Sequence, residues 1–263
     1  MPALHPHHVG LDVIHTHSAG LAELIAASPA DVLVPTCGDW TLSDLAWHMV
    51  EVQDFWVHVI GSRPATPTDY VEPDRPADAE LAERLGQATT DLIAALTVAD
   101  PADEAWSWAV EHTVAFTLRR QSHEALVHHL DAVLAVGAPL PDIATELAAD
   151  GVDEMTGVFL SETPDWASFT RSDGVIELSA TDTGDSWTFA FGRMVGTSPR
   201  TGKDHDLDAV VAVEGESPDT ALASDALSLD LWLWGRAGTA DLRVTGDGRL
   251  VERLRNVAVE STQ

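Results

Sequence analysis

Apolar residues recur at helical spacing through roughly the first 160 residues, and proline and glycine cut that pattern into long segments. From about Val9 to Ala27, Leu11, Ile14, Leu21, Leu24 and Ile25 share a face, and Pro29 and Pro35 mark the exit. Thr41 is placed to cap the next helix, with Asp44 at its third position as the acidic form of a capping box. That helix is expected to run to about Ile60, where Gly61 and Pro64 end it, and a Pro- and Asp-rich loop follows from Ser62 to Asp78. Ala79 to Leu96 is helical again through Leu81, Leu85, Leu92 and Ile93. Pro101 to Ala105 break the pattern, and Trp106 to Val110 reads as a short extended piece. The spacing predicts a helix from about Phe116 to Val136, stopped by Gly137 with Pro139 and Pro141 beyond it. A last helix is expected from about Ile143 to Leu160. Four long helices with shorter companions suit a bundle.

After Pro164 the period changes. Ile176 to Thr181 and Trp187 to Phe191 alternate apolar and polar residues across Thr183-Gly184-Asp185, which reads as a hairpin. Ala209 to Val213 is a further strand and Leu242 to Val244 a short one. Asp219 to Trp234, carrying Leu222, Leu227, Leu231 and Leu233, is read as a helix, as is Leu250 to Val257. The chain is therefore expected to be α+β: a helical bundle over residues 1–162 and a smaller α/β domain over residues 163–263, divided near Thr163.

Composition narrows the function. A formal charge of −29 over 263 residues argues against a nucleic-acid surface, since phosphates are repelled. No run reaches the ~18 apolar residues of a membrane helix, and the N-terminus has no basic region followed by an apolar one, so a cytoplasmic protein without a signal peptide is expected. Cys37 is the only cysteine, which excludes an intrachain disulfide and a multi-cysteine zinc site. It reads as a small buried or loop residue.

Chemistry concentrates in the segment Gln121 to His129. Glu124 and His128 are four residues apart, so their side chains leave the helix one turn apart on one face and can bind one divalent metal. His48, in the apolar stretch Leu42 to Val50, is the candidate third ligand. Two His and one Glu with a coordination position left open form the ligand set of a catalytic zinc or a related metal. Apolar flanks at Leu126, Val127 and Leu130, and at Leu45, Ala46 and Met49, place these polar groups where they need a partner or a metal. His123 is displaced about 140° around the helix from His128, and it and His129 read as supporting or surface residues. His5, His7, His8, His15 and His17 read as a mobile terminus or solvated helix start.

Further candidates surround this set. Trp47 and Trp56 are placed to wall a cofactor pocket or to join the core. Arg119 and Arg120 precede Glu124 and suit an acidic substrate or thiol cofactor, or surface pairing. Asp150 or Asp153 is a candidate to accept a hydrogen bond from a liganding His and set its tautomer, or to be a solvated acidic residue.

Cys37-Gly38-Asp39-Trp40-Thr41-Leu42-Ser43-Asp44-Leu45-Ala46-Trp47-His48 resembles the signature Trp-Thr-x-x-Asp-Leu-x-x-His of the mycothiol-dependent maleylpyruvate isomerase family. Arg119 to Ala132 and Ala148 to Glu154 resemble two further signatures, and Leu231-Trp232-Leu233-Trp234-Gly235-Arg236 is similar to the family's C-terminal Leu-Trp-Gly-Arg. One departure is local: the family often has Pro between Cys and Gly-Trp, where this chain has Gly38-Asp39. The resemblance implies a DinB-like four-helix bundle followed by a sterol-carrier-like α/β domain. It implies Zn2+, or another divalent metal, held by His48, Glu124 and His128, with mycothiol, an actinobacterial thiol, as cosubstrate. A metal-activated thiol then attacks an electrophilic small molecule, in cis-trans isomerisation of a maleylpyruvate-like acid or in S-transfer. Arg119, Arg120 and Arg236 are the candidate cations for a carboxylate substrate. A monomer or homodimer is expected, with no membrane or nucleic-acid partner. The reading from another class is a metal-containing protein that binds or senses a ligand without catalysis, and a third is a bundle without metal.

Overall fold

The computed structural model describes residues 7–161, 163–199, 201–240 and 242–262. Its contacts divide the chain into two compact units, Met1–Pro141 and Asp142–Gln263. Among the described residues the first unit is built on four long helices: α1 (His7–Ala27), α2 (Leu42–Ser62), α3 (Leu81–Val98) and α4 (Val114–Val136). Each long helix foreseen is present, with ends shifted by a few residues. Thr41 and Asp44 form the reciprocal capping box at the start of α2. Gly137, at φ 67°, ends α4 in the left-handed conformation that glycine adopts without strain.

Side-chain contacts set the directions of the helices. Gly10 packs on Leu118 and His17 meets His129, so α1 and α4 run parallel. Thr36, just before α2, bonds Asp131 near the end of α4, while His48 further along α2 meets Glu124, so α2 runs against α4. Ser43 reaches Asp78 at the entry to α3, and Asp54 meets Arg84, so α2 and α3 are parallel neighbours. Parallel neighbours need a long crossover, which is what the Pro- and Asp-rich loop provides. Leu21, Leu42, Leu45, Met49, Leu85, Ala125 and Ala132 close the core around these helices, all buried to 0% exposure. Each large aliphatic among them contributes on the order of 1.5–3 kcal/mol by leaving water. Its polar interior is satisfied where Gln53 donates to Ser18 Oγ (2.9 Å) and accepts from Thr89 Oγ1 (2.8 Å).

The second unit carries α5 (Thr145–Glu154), a π turn (Met155–Leu160), α6 (Ala226–Leu233), α7 (Gly248–Ser261) and a five-stranded sheet. The strands are β1 (Ala167–Ala180), β2 (Ser186–Thr197), β3 (Asp204–Ala212), β4 (Thr220–Ser224) and β5 (Arg243–Gly246), in the order β3-β2-β1-β4-β5. β1 and β2 form the expected hairpin, and β4 lies parallel to β1, pairing Ile176 with Thr220. Ile176, Leu178, Phe189, Phe191 and Leu222 from the sheet meet Leu229, Trp232 and Leu254 from the helices in one core. Among the described residues no helix is long and apolar enough to cross a membrane.

Three expectations are corrected here. The division falls at Pro141 rather than near Thr163, because α5 packs on α6: Gly151 approaches Asp230 so closely that a Cβ there would sit 2.8 Å from its carboxylate oxygen. The helix read over Asp219 to Trp234 is a strand followed by a helix. Thr220 and Leu222 alternate inward along β4, and Asp225 then caps α6 by accepting from Ser228 N. The helix read through to Leu160 gives way to the π turn after Glu154.

Candidate metal centre

The three ligand candidates converge within the first unit. His48 Nε2 and His128 Nε2 each stand 3.2 Å from the same oxygen, Oε1 of Glu124. The three ligand atoms all lie within 4.8 Å of one another. Ligands at ~2.0 Å from a tetrahedral zinc are spaced about 3.3 Å apart along the tetrahedron's edges, so the set fits the ion with little movement. Side-chain exposures of 30% for His48, 19% for Glu124 and 12% for His128 leave the cluster reachable from outside.

Each candidate ligand has a close neighbour. His128 Nδ1 lies 2.9 Å from Asp131 Oδ2, which puts the ring proton on Nδ1 and leaves Nε2 with its lone pair free for a metal. Asp131 is fully buried and also accepts from Thr36 Oγ1 (2.5 Å) and Cys37 Sγ (3.4 Å). Arg120, itself buried, donates to Glu124 Oε2 at 3.0 Å. The Trp40 ring stands 4.9 Å from the His48 ring. The loop that delivers Thr36, Cys37 and Trp40 is pinned by backbone bonds between Val34 and Trp40 and turns at Gly38, at φ 68°.

The electrostatics are those of a tightly coupled cluster. Burial opposes charge on Glu124, but hydrogen bonds from His128 and His48 and the Arg120 guanidinium outweigh it and hold the carboxyl well below its usual range. Burial also opposes charge on His128, but bonds to Asp131, Cys37 and Glu124 raise it well above the ordinary imidazole value. Both shifts arise because carboxylates and imidazoles are packed together at one point, the grouping that a cation would bridge.

The other expected site residues sit as follows. The carboxylate that orients His128 is Asp131. Asp153 in the second unit instead accepts from Trp187 Nε1 (3.2 Å), and Asp150 lies buried on α5 in that same unit. Arg120 is engaged with Glu124, while Arg119 lies half-buried and about 140° around α4 from Glu124. Arg236 belongs to the second unit, where its guanidinium stands 5.7 Å from the Trp234 ring centroid. Trp47 packs on the bundle core, and the ring beside His48 is Trp40. Trp56 is buried against Trp106 and Phe55. His129 and His17 are buried and share an Nδ1···Nδ1 contact of 3.0 Å, and His123 is also buried, so neither α4 histidine is a surface residue and His17 is not a solvated helix start. His5 lies outside the described residues. Asp131 and Trp40 escaped sequence reasoning, although the i, i+4, i+7 spacing of Glu124, His128 and Asp131 carried the signal for the first.

Residues 11–133 match the family model of the mycothiol maleylpyruvate isomerase N-terminal domain. No curated protein matches the chain in sequence. Two solved structures share the fold. One is a histidine-to-alanine mutant of the mycothiol-dependent maleylpyruvate isomerase (TM-score 0.61) and the other is that enzyme unmutated (TM-score 0.59). Each is 15% identical over 93% of this chain and 96% of theirs.

Proposed function

We propose that this chain, whose N-terminal unit belongs to the mycothiol maleylpyruvate isomerase N-terminal domain family, is a zinc-dependent enzyme that uses mycothiol against an electrophilic small molecule. The observation that carries the reading is the convergence of His48, Glu124 and His128 on one point, with Asp131 fixing the tautomer of His128.

Zinc bound by this set would hold a thiol as thiolate at neutral pH. His48 and His128 offer their Nε2 lone pairs. Glu124 supplies one negative charge, and Arg120 fixes its second oxygen so that Oε1 stays turned toward the histidines. Asp131 accepts a hydrogen bond from Nδ1–H of His128 and keeps that ring from rotating. The Trp40 ring stands beside His48, tilted 50° to it, and restricts the motion of that imidazole. The thiolate of mycothiol would add to a conjugated carbon–carbon double bond, the resulting single bond would rotate, and elimination would expel the thiol unchanged. S-transfer shares the first step and ends with the thioether as product.

Metal analysis of the purified protein beside His48→Ala and Glu124→Gln tests the ligand set. Zinc near one equivalent in the wild type and a loss of it in both variants is expected, and full occupancy in either variant refutes the assignment. Incubation of the zinc protein with mycothiol and maleylpyruvate or other electrophiles, followed by mass detection, separates isomer from adduct. Neither product would leave the ligand-binding reading in its place.

A further inference from the structure

The α4 face that carries the ligands continues past them. Thr117, Gln121, Glu124 and His128 are spaced 4, 3 and 4 residues apart, which gathers them within about 60° of the helix circumference. Both upstream members are buried, Thr117 at 0% and Gln121 at 1% exposure. Neither amide atom of Gln121 has a hydrogen-bond partner, and nor has Thr117 Oγ1.

The molecule satisfies comparable groups elsewhere. Gln53 has partners for both ends of its amide, and Thr89, Thr90 and Thr97 return their hydroxyls to the carbonyl four residues back. A buried polar group left without a bond costs about as much as a lost hydrogen bond. Two such residues in succession beside a ligand cluster mark a place shaped for something the chain does not itself supply.

The surroundings suggest what that is. Val52 and Phe55 lie one and two turns beyond His48 on α2, which runs against α4, in the direction in which Gln121 and Thr117 precede Glu124. Phe55 packs edge-on against Tyr70 and Trp106, so that part of α2 carries an aromatic cluster. An amide and a hydroxyl both donate and accept but carry no charge, so they suit a neutral polar ligand rather than a carboxylate. The nearer of them lies about 4.5 Å along the helix from Glu124 and the farther about 10 Å.

Resting on the thiol-using function above, we infer that Gln121 and Thr117 form the subsite that recognises the neutral polar body of the thiol. Gln121 pairs with the amide closest to the sulfur, and Thr117 with a hydroxyl farther along. Mycothiol, an N-acylated cysteine amide carried on a sugar–inositol pair, has both groups in that order.

The test uses full-length cobalt-loaded protein and follows the sulfur-to-cobalt absorption band as thiol is added. Gln121→Met and Thr117→Val keep shape and remove the polar atoms. Mycothiol affinity is expected to fall about tenfold or more in each. Affinity for propanethiol, which has neither amide nor hydroxyl, is expected to stay unchanged, as is metal content. The melting temperature of the thiol-free protein should hold or rise, since unpaired buried polar atoms are being replaced by apolar ones. Equal mycothiol affinity in wild type and variants overturns the inference while leaving the proposed function standing. A lowered melting temperature with both thiols weakened assigns the two residues a structural role and overturns it too. If the wild type binds propanethiol but not mycothiol, the subsite is refuted, and if it binds neither, the thiol-using function falls with it.

Discussion

At the scale of single residues, Asp131 carries the most consequence for the least surface. Its buried carboxylate gathers Thr36, Cys37 and His128, and through His128 it decides which ring nitrogen faces the ligand cluster. Asp131→Ala is expected to weaken zinc binding by about 10- to 100-fold, measured by competition with a chromophoric chelator, with Glu124 and His48 still in place. Unchanged affinity would show that the tautomer is set by something else. His17 offers a second case. Burial first, then the charges of His129 and His123, lower it from 6.5 to about 4. The folded state therefore resists a proton that the unfolded chain accepts. The neutral pair contributes its full stability above about pH 6.5 and loses it as pH falls toward 4, by up to about 3 kcal/mol. The difference in unfolding free energy between wild type and His17→Gln should slope across that window. A flat difference in urea titrations would contradict the depressed value.

At the scale of elements, two glycines of the bundle make opposite predictions from one substitution. A Cβ on Gly20 would sit 2.5 Å from His129 Cε1, and that ring is tied to His17 across the α1–α4 contact. Gly20→Ala is expected to destabilise by about 1–3 kcal/mol through overpacking. Gly86 is exposed on α3 with nothing within 4 Å of a Cβ, so Gly86→Ala is expected to stabilise by roughly 0.5–1 kcal/mol. Chemical denaturation of both variants checks the pair, and a common sign would show that α1 and α4 are not so close. The helices were legible because each carries its own period and its own stop, as Thr41 and Gly137 show. The segment after Asp219 was not. Leu222, Leu227, Leu231 and Leu233 suit a helix well enough to hide a strand that pairing with β1 stabilises. Only Asp225, a good cap in mid-segment, marked the change locally.

At the scale of the whole molecule, charge dominates. A net charge of −29 surrounds a site proposed to act on an electrophilic acid. Raising salt from ~10 mM to ~150 mM shortens the screening length from ~30 Å to ~8 Å. The value of kcat/KM for an anionic electrophile should rise over that range, while a neutral electrophile shows little change. A fall for the anion would point to a local cationic field strong enough to outweigh the surface. The candidate ligands were readable from residue spacing and motif because Glu124 and His128 share one helix, where four residues make about one turn. That reading also supplied the bundle, through the apolar period and its proline and glycine breaks. The placement of α5 with the sheet, the approach of Trp40 to His48, and the partners of Asp131 were decided by packing among segments far apart in the chain, whose contacts no local period encodes.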